Sequence, residues 1–172
     1  MKFQLAKIKQ ASFIAQLVNS AYRGEPSRAG WTTEADILEG LRTTADEIKQ
    51  LICAENSLIL LAIDKDALVG TICVERKLLI ANIGMFVVSP SLQNGGIGKA
   101  LLAAAEKLAQ QKWVLTTLQM QVISIRHELI AFYERRGYLR TDALVDFPIN
   151  PSVWQPKVAH LKLAILQKPA HT

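Results

Sequence analysis

Metal-binding and redox signatures are missing from this chain. Its only two cysteines, Cys53 and Cys73, sit in apolar surroundings with neither a CxxC nor a Cys/His ligand spacing. No zinc site is therefore expected, and both cysteines read as buried free thiols in a reducing compartment. Long apolar runs are scarce as well. The longest, Leu78 to Val88, contains Asn82 and is too short to span a bilayer, so no membrane association is expected. The stretch from Met1 to Lys9 scatters its charges and has no signal-peptide core, and a soluble, cytoplasmic protein is the expectation. Dense basic tracts are absent too. Lys and Arg number 20 against 15 acids, a net charge of +5, but they are dispersed. That balance suits an anionic small ligand and puts nucleic acid well behind.

What remains is an ordinary globular composition, 50% hydrophobic and 20% charged, without internal repeats or low-complexity tracts. A chain of 172 residues suffices for one domain with a full core, and a single domain over 1–172 is expected.

Periodicity predicts an α/β chain. A short strand over Phe3, Leu5 and Ile8 is followed by a helix from about Lys9 to Ala21. Tyr22 to Trp31 reads as loop from its Gly and Pro content. Thr33, with Asp36 three residues on, predicts a second helix through Ile37, Leu38 and Leu41, and the Thr44/Glu47 capping box predicts another through Ile48, Leu51 and Ile52. Ser57 to Ile63 and Leu68 to Val74, separated by Asp64-Lys65-Asp66, make a hairpin. Leu79 to Val88 is a strand, Ile97 to about Gln111 a helix, and Val114 to Ile123 a strand parallel to the one before the helix. Arg126 to Arg136 is a short helix closed by Gly137, and two further strands begin at Tyr138 and Ala159.

The chain is organised around the strand-loop-helix transition Met85 to Leu102. Here Val88-Ser89-Pro90 runs into Gln93-Asn94-Gly95-Gly96-Ile97-Gly98-Lys99. Glycines let the backbone approach a bound group closely, and the free N–H groups of a helix's first turn carry partial positive charge, so the loop suits a phosphate. A Walker A loop is excluded, because Gln93 takes the place of the first glycine and Ala100 follows Lys99. A dinucleotide fingerprint is incomplete, with Leu101 where its third glycine belongs.

The pattern that does fit is Gln-x-x-Gly-x-Gly, formed by Gln93, Gly96 and Gly98. Downstream, Phe132-Tyr133-Glu134-Arg135-Arg136-Gly137-Tyr138 follows a strand and a helix start. Together these resemble the coenzyme A loop and the closing motif of the GNAT (general control N-acetyltransferase) superfamily, in order and spacing from about Phe3 to Leu166. The resemblance implies a mostly antiparallel mixed sheet, splayed at two parallel strands and flanked by helices, with acetyl-CoA in the split. It implies that the backbone of Phe86, Val87 and Val88 pairs with the pantetheine arm. Main-chain N–H groups of Gln93, Asn94, Gly95, Gly96, Ile97, Gly98 and Lys99 would hold the diphosphate, and no metal is called for.

By the same resemblance Tyr133 stands near the thioester sulfur, where its phenol would protonate the departing thiolate. Taken by itself, Tyr133 reads as a half-buried helix tyrosine. The chain departs from the family pattern in two places. Arg126 stands seven residues before Tyr133, where many members carry Asn; it suits an acceptor carboxylate, a coenzyme phosphate or plain solvent. No acid lies between Leu79 and Val88, where a general base is often found, which leaves Glu75 or His127 acting through water, or solvent alone.

The reaction implied is direct transfer of an acetyl group to a primary amine of a small molecule in a ternary complex, with the oxyanion met by the Val87 or Val88 N–H. Tyr22, Trp31, Phe147 and Trp154 would wall the acceptor pocket, and Arg23, Arg28 and Arg126 would meet a carboxylate. Two alternatives stay open: acetylation of a protein N-terminus or lysine, and a coenzyme-A-binding sensor without chemistry. A homodimer is left open too.

Overall fold

The structure, a computed structural model, describes residues 1–171; Thr172, the last residue of the expected domain span, lies outside them. The elements are β1 (Lys2–Leu5), a 3-10 turn (Ile8–Gln10), α1 (Ala11–Tyr22), α2 (Gly24–Ser27), β2 (Leu38–Gly40), α3 (Ala45–Cys53), β3 (Ser57–Asp64) and β4 (Ala67–Lys77). There follow β5 (Ile80–Val88), a second 3-10 turn (Pro90–Leu92), α4 (Ile97–Lys112), β6 (Thr117–Ile123), α5 (His127–Glu134), β7 (Leu139–Asp146), β8 (Trp154–Pro156) and β9 (Lys162–Pro169).

Seven strands form one sheet in the order β1-β3-β4-β5-β6-β9-β7, and β2 pairs with β8 in a separate ribbon. Every pairing is antiparallel except β5 with β6. The β3–β4 hairpin turns on Lys65 and Asp66, both at positive φ (47° and 65°), as a two-residue loop matched to strand twist requires. The parallel pairing is short, running only from Ile80↔Thr117 to Ile83↔Met120. Beyond it β5 is bent by a register shift opposite Thr71–Cys73, and Met85 takes a φ of 43°. The two strands part there, since a bulge redirects the strand that carries it.

Both faces of the sheet are covered, which is why β3 and β4 read as near-continuous apolar runs. On one face Leu101, Leu102, Ala105 and Ala109 of α4 pack on Leu58, Leu60, Ile72, Val74 and Leu118. On the other, Ile14 and Val18 of α1 and Ile48 of α3 pack on Ile59, Leu61, Cys73, Met85 and Val87. Half of the expected capping box forms: the Thr44 hydroxyl accepts the Glu47 N–H at 3.2 Å, while the Glu47 carboxylate accepts from Thr43 Oγ1 at 2.6 Å.

The structure corrects several expectations. The helix through Leu41 does not form: Thr33 to Ile37 make a single turn, closed by Ile37 and Leu38 N–H groups donating to the Glu34 carbonyl, and the chain then becomes β2. Two local facts account for this. Leu38 is drawn into a third apolar cluster with Ile123, Leu161 and Leu163, and Gly40 sits at φ +95° with its Cα so close to the Val153 carbonyl that a Cβ would collide with it. The Tyr22–Trp31 loop contains the short helix α2. The strand expected from Val114 starts at Thr117, leaving Val114 exposed, and the last strand runs over Lys162–Pro169 instead of starting at Ala159. Cys73 is buried, but Cys53 is exposed, because the last residue of α3 turns away from its inward stripe of Ile48, Leu51 and Ile52.

Candidate active site

The glycine-rich loop leaves β5 through the Pro90 turn and reaches α4 by way of Asn94 and Gly96, both left-handed (φ 69° and 82°). A Cβ on Gly96 would meet nothing within 4 Å. Its conformation, and not crowding, is what asks for glycine there. At the start of α4 the N–H groups of Ile97, Gly98 and Lys99 precede the first intrahelical bond, Ala100 N–H to the Gly96 carbonyl at 3.1 Å. These donors border a cleft of about 700 Å³ that is also lined by Leu129, Phe132 and Tyr133 of α5 and by Arg136 just beyond it.

Of the residues expected to bind a coenzyme, Phe86, Val88, Gln93, Asn94, Gly96, Ile97, Gly98 and Lys99 line this cleft. Gly95 and Val87 do not. Val87 is buried in the core on the α1 face, paired with Thr71 of β4. The Ser89 N–H donates to the Val69 carbonyl on β4, so strand alternation turns the main-chain groups of Val87 toward β4 and those of Phe86 and Val88 toward the splayed edge. This narrows the expected Val87 or Val88 oxyanion donor to Val88. Two carbonyls on that edge already accept one bond each. Tyr22 Oη donates to Phe86 at 2.8 Å, and Gln93 Nε2 donates to Val88 at 3.1 Å, leaving one lone pair on each.

Tyr133 sits where the strands part. Together with Phe86 and Leu129 it borders both the cleft and a second cavity of about 330 Å³ on the other side of the opening. Its ring packs against Phe132 (5.3 Å between centroids), Tyr138 (6.1 Å) and Phe86 (6.2 Å). Burial, helped by the nearby Tyr22, drives its phenol pKa well above the ordinary value, so the hydroxyl is held protonated. The rest of the closing motif anchors the helix. Gly137 turns the chain at φ +89°, and Tyr138 Oη donates to buried Glu106 at 2.7 Å, which also accepts from Lys168 at 2.7 Å.

The second cavity gathers Tyr22, Arg23 and Arg126 as the sequence suggested, with Phe147 and Trp154 as apolar wall. Trp31 does not join them: it lines the first cleft, its ring 5.7 Å from Phe132. Arg28 is also elsewhere, paired at the surface with Glu25 and Asp36. His127 is exposed and borders neither cavity, whereas Glu75 lines the second, opposite Asn82 in the β4–β5 ladder.

Three residues of this cavity escaped the sequence reading. Glu34 is buried and bridges two guanidinium groups, one carboxylate oxygen on Arg23 Nη1 and the other 3.2 Å from Arg126 Nη1. Nothing local marks it, since its partners lie 11 and 92 positions away. Arg42 also lines the cavity. Asn82 did leave a trace, as the one polar interruption of the longest apolar run. Its Oδ1 accepts from Gln119 at 2.9 Å, and Gln119 in turn accepts from Gln167 at 2.8 Å, a polar ladder across β5, β6 and β9. Burial and the Glu34 charge push the Tyr22 phenol up to about 12, and burial lowers the Arg23 pKa. Among the described residues no group of three or more His, Cys, Asp and Glu is placed to hold a metal ion, and no helix is long and apolar enough to cross a membrane.

No curated protein sequence matches the chain. Solved structures do. A GNAT-family acetyltransferase from Streptococcus pneumoniae superposes with a TM-score of 0.70 at 17% identity, covering 99% of each chain. A spermidine N-acetyltransferase SpeG chimera from Vibrio cholerae and hSSAT superposes with a TM-score of 0.70 at 16% identity, over 99% of this chain and 96% of that one. The ribosomal-protein-S18-alanine N-acetyltransferase from Escherichia coli gives 0.67 at 15% identity, over 99% of this chain and 94% of that one. At such identities the likeness speaks for the fold alone. The family model of the Acetyltransferase (GNAT) family matches residues 15–138, most of the chain and both the Gln93–Gly98 loop and the Phe132–Tyr138 motif, and the chain belongs to that family.

Proposed function

We propose that this acetyltransferase, one domain over 1–172, uses acetyl-CoA to acetylate the primary amine of a small molecule by direct attack in a ternary complex. The observation that carries the reading is that Tyr133 borders both cavities at the point where β5 and β6 separate.

The residues present fit the coenzyme. The left-handed turn at Gly96, the open space above it and the unpaired N–H groups of Ile97, Gly98 and Lys99 make a cradle for a diphosphate. The splayed edge at Phe86 and Val88 offers main-chain groups to the pantetheine arm. When bound, acetyl-CoA supplies the acetyl group in activated form as a thioester. The chain's own residues do the rest. The Val88 N–H faces the opening and would stabilise negative charge developing on the carbonyl oxygen. Tyr133, whose ring borders the opening from both cavities, would give its proton to the departing sulfur. The amine would approach from the second cavity, and Glu75, opposite Asn82, would take up its proton through water. Holding both reactants at one opening supplies the advantage of proximity, so no acyl-enzyme is needed.

A cavity of about 330 Å³, closed on one side by Phe147 and Trp154, suits a small molecule better than a peptide terminus. The test is release of coenzyme A thiol from acetyl-CoA over a panel of amines, with coenzyme binding followed by calorimetry. Tyr133→Phe should lower kcat by about 100-fold, the scale of one general acid, while coenzyme A affinity stays within about threefold. Coenzyme binding with no turnover on any amine would replace this reading with a sensor role.

A further inference from the structure

The second cavity carries more positive charge than its own acids neutralise. Arg23, Arg42 and Arg126 line it, against Glu34 and Glu75. Glu34 is fully engaged, with one carboxylate oxygen on Arg23 and the other on Arg126. Two of the three guanidinium groups thus have a partner inside the protein. Arg42 has none: among the described residues its side chain makes no ion pair and no hydrogen bond.

Arg42 is nevertheless firmly mounted. Its own N–H and that of Thr43 both donate to Asn19 Oδ1, at 2.8 and 3.1 Å, while Asn19 Nδ2 donates to the Thr43 carbonyl at 3.0 Å. Asn19 lies one turn before Tyr22 on α1, and the charge of Arg42 bears on both Tyr22 and Arg23. Tyr22, on which that charge acts, itself donates to the Phe86 carbonyl at the opening. A half-buried cation on a rigid backbone, lining the cavity with no ion pair of its own, is a receptor for an anionic group. The apolar wall of Phe147, Trp154, Ile123 and Leu163 would take a hydrocarbon portion.

Resting on the transferase reading above, we propose that Arg42 is the carboxylate receptor of the acceptor cavity. The acceptor is then an amino carboxylate, a molecule bearing both a primary amine and a carboxylate group. A polyamine would bring further positive charge against this wall and is disfavoured.

The experiment uses amines matched in pairs that differ only in the carboxylate: leucine with 3-methylbutylamine, phenylalanine with phenethylamine and β-alanine with ethylamine, together with spermidine. Each is assayed for acetyl transfer and, separately, for calorimetric binding to protein saturated with coenzyme A, in the wild type, R42Q and R42K. In at least one pair the carboxylate member should be favoured at least about tenfold in kcat/KM and in Kd, as a charge-assisted contact implies. In R42Q, which should melt with the wild type, the preference should shrink to within about threefold, chiefly through KM, and R42K should restore part of it. Equal use of both members in every pair, a preference that survives R42Q, or failure of every carboxylate to bind overturns the proposal. An Arg42-dependent preference in binding without any transfer supports the carboxylate site and sinks the transferase reading instead.

Discussion

The side-chain carbonyl of Gln93 accepts the main-chain N–H of Trp31 at 2.9 Å, joining the glycine-rich loop to a segment 62 positions earlier. The same side chain donates through Nε2 to Thr32 Oγ1 at 2.8 Å and to the Val88 carbonyl at 3.1 Å. One residue therefore ties together the end of β5, the loop and the segment that brings Trp31 onto Phe132.

Gly30 packs directly over this knot: a Cβ there would lie 2.6 Å from Gln93 Oε1 and 2.8 Å from its Nε2. Gly30→Ala must therefore push Gln93 off its partners, and should cost about 1–2 kcal/mol, the worth of one or two hydrogen bonds. In a Gln93→Ala background the obstructing atoms are gone, and the same change should be neutral to within about 0.5 kcal/mol. Urea unfolding of the four proteins measures the coupling. Additive costs would mean that the contact carries no energy.

Glu34 holds two arginines, and all three side chains are about nine-tenths buried. Glu34→Gln preserves shape but leaves two guanidinium groups with no countercharge. The expected loss is about 3 kcal/mol of stability, the usual scale for orphaning a buried ion pair. Denaturant midpoints read this directly, and a loss below 1 kcal/mol would show that solvent already screens the cluster.

The two thiols should react in sharply separate phases. Cys53 is exposed, whereas Cys73 is 3% exposed and burial pushes its pKa up to about 12, with Glu75 opposing the weak help of its Ser57 contact. Since the thiolate is the nucleophile, native protein should show one promptly labelled thiol and a second that appears only with unfolding. Prompt labelling of both would contradict the packing of Cys73 under α1.

Alkaline stability follows from the three tyrosines, all of them buried. Burial raises each phenol above its ordinary value, Tyr22 to about 12 and Tyr133 and Tyr138 further. A folded pKa above the unfolded one means that the native state keeps a proton the unfolded chain has lost. The stabilisation is complete below about pH 10 and falls as pH climbs from there through the folded values. Phenolate absorbance should accordingly rise together with loss of the fold, in one step. A tyrosine ionising near pH 10 in intact protein would refute this.

Local patterns made most of this architecture legible. The Gln93–Lys99 loop, the Thr44 cap, the hairpin turn and the parallel pair each depend on residues within one crossover, and each is found where expected. Long-range contacts overruled the rest. Thr33 has the chemistry of a helix cap, but the stretch after it is claimed by β8 and by the Leu163 cluster. Arg23 and Arg126 looked like ligand-binding cations because Glu34, which neutralises them, gives no sign in sequence of facing them. Arg42 was passed over for the mirror reason: only the fold reveals that it has no partner.

The abrupt end of the β5–β6 ladder at Ile83↔Met120 has one more consequence. β6 is secured along its other edge by β9 without interruption, from Thr117↔Pro169 to Ile123↔Leu163, so it is not free to swing toward β5 and seal the gap. The doorway between the two chambers is thus braced on its β6 side, and a molecule threading it passes along one firmly held post.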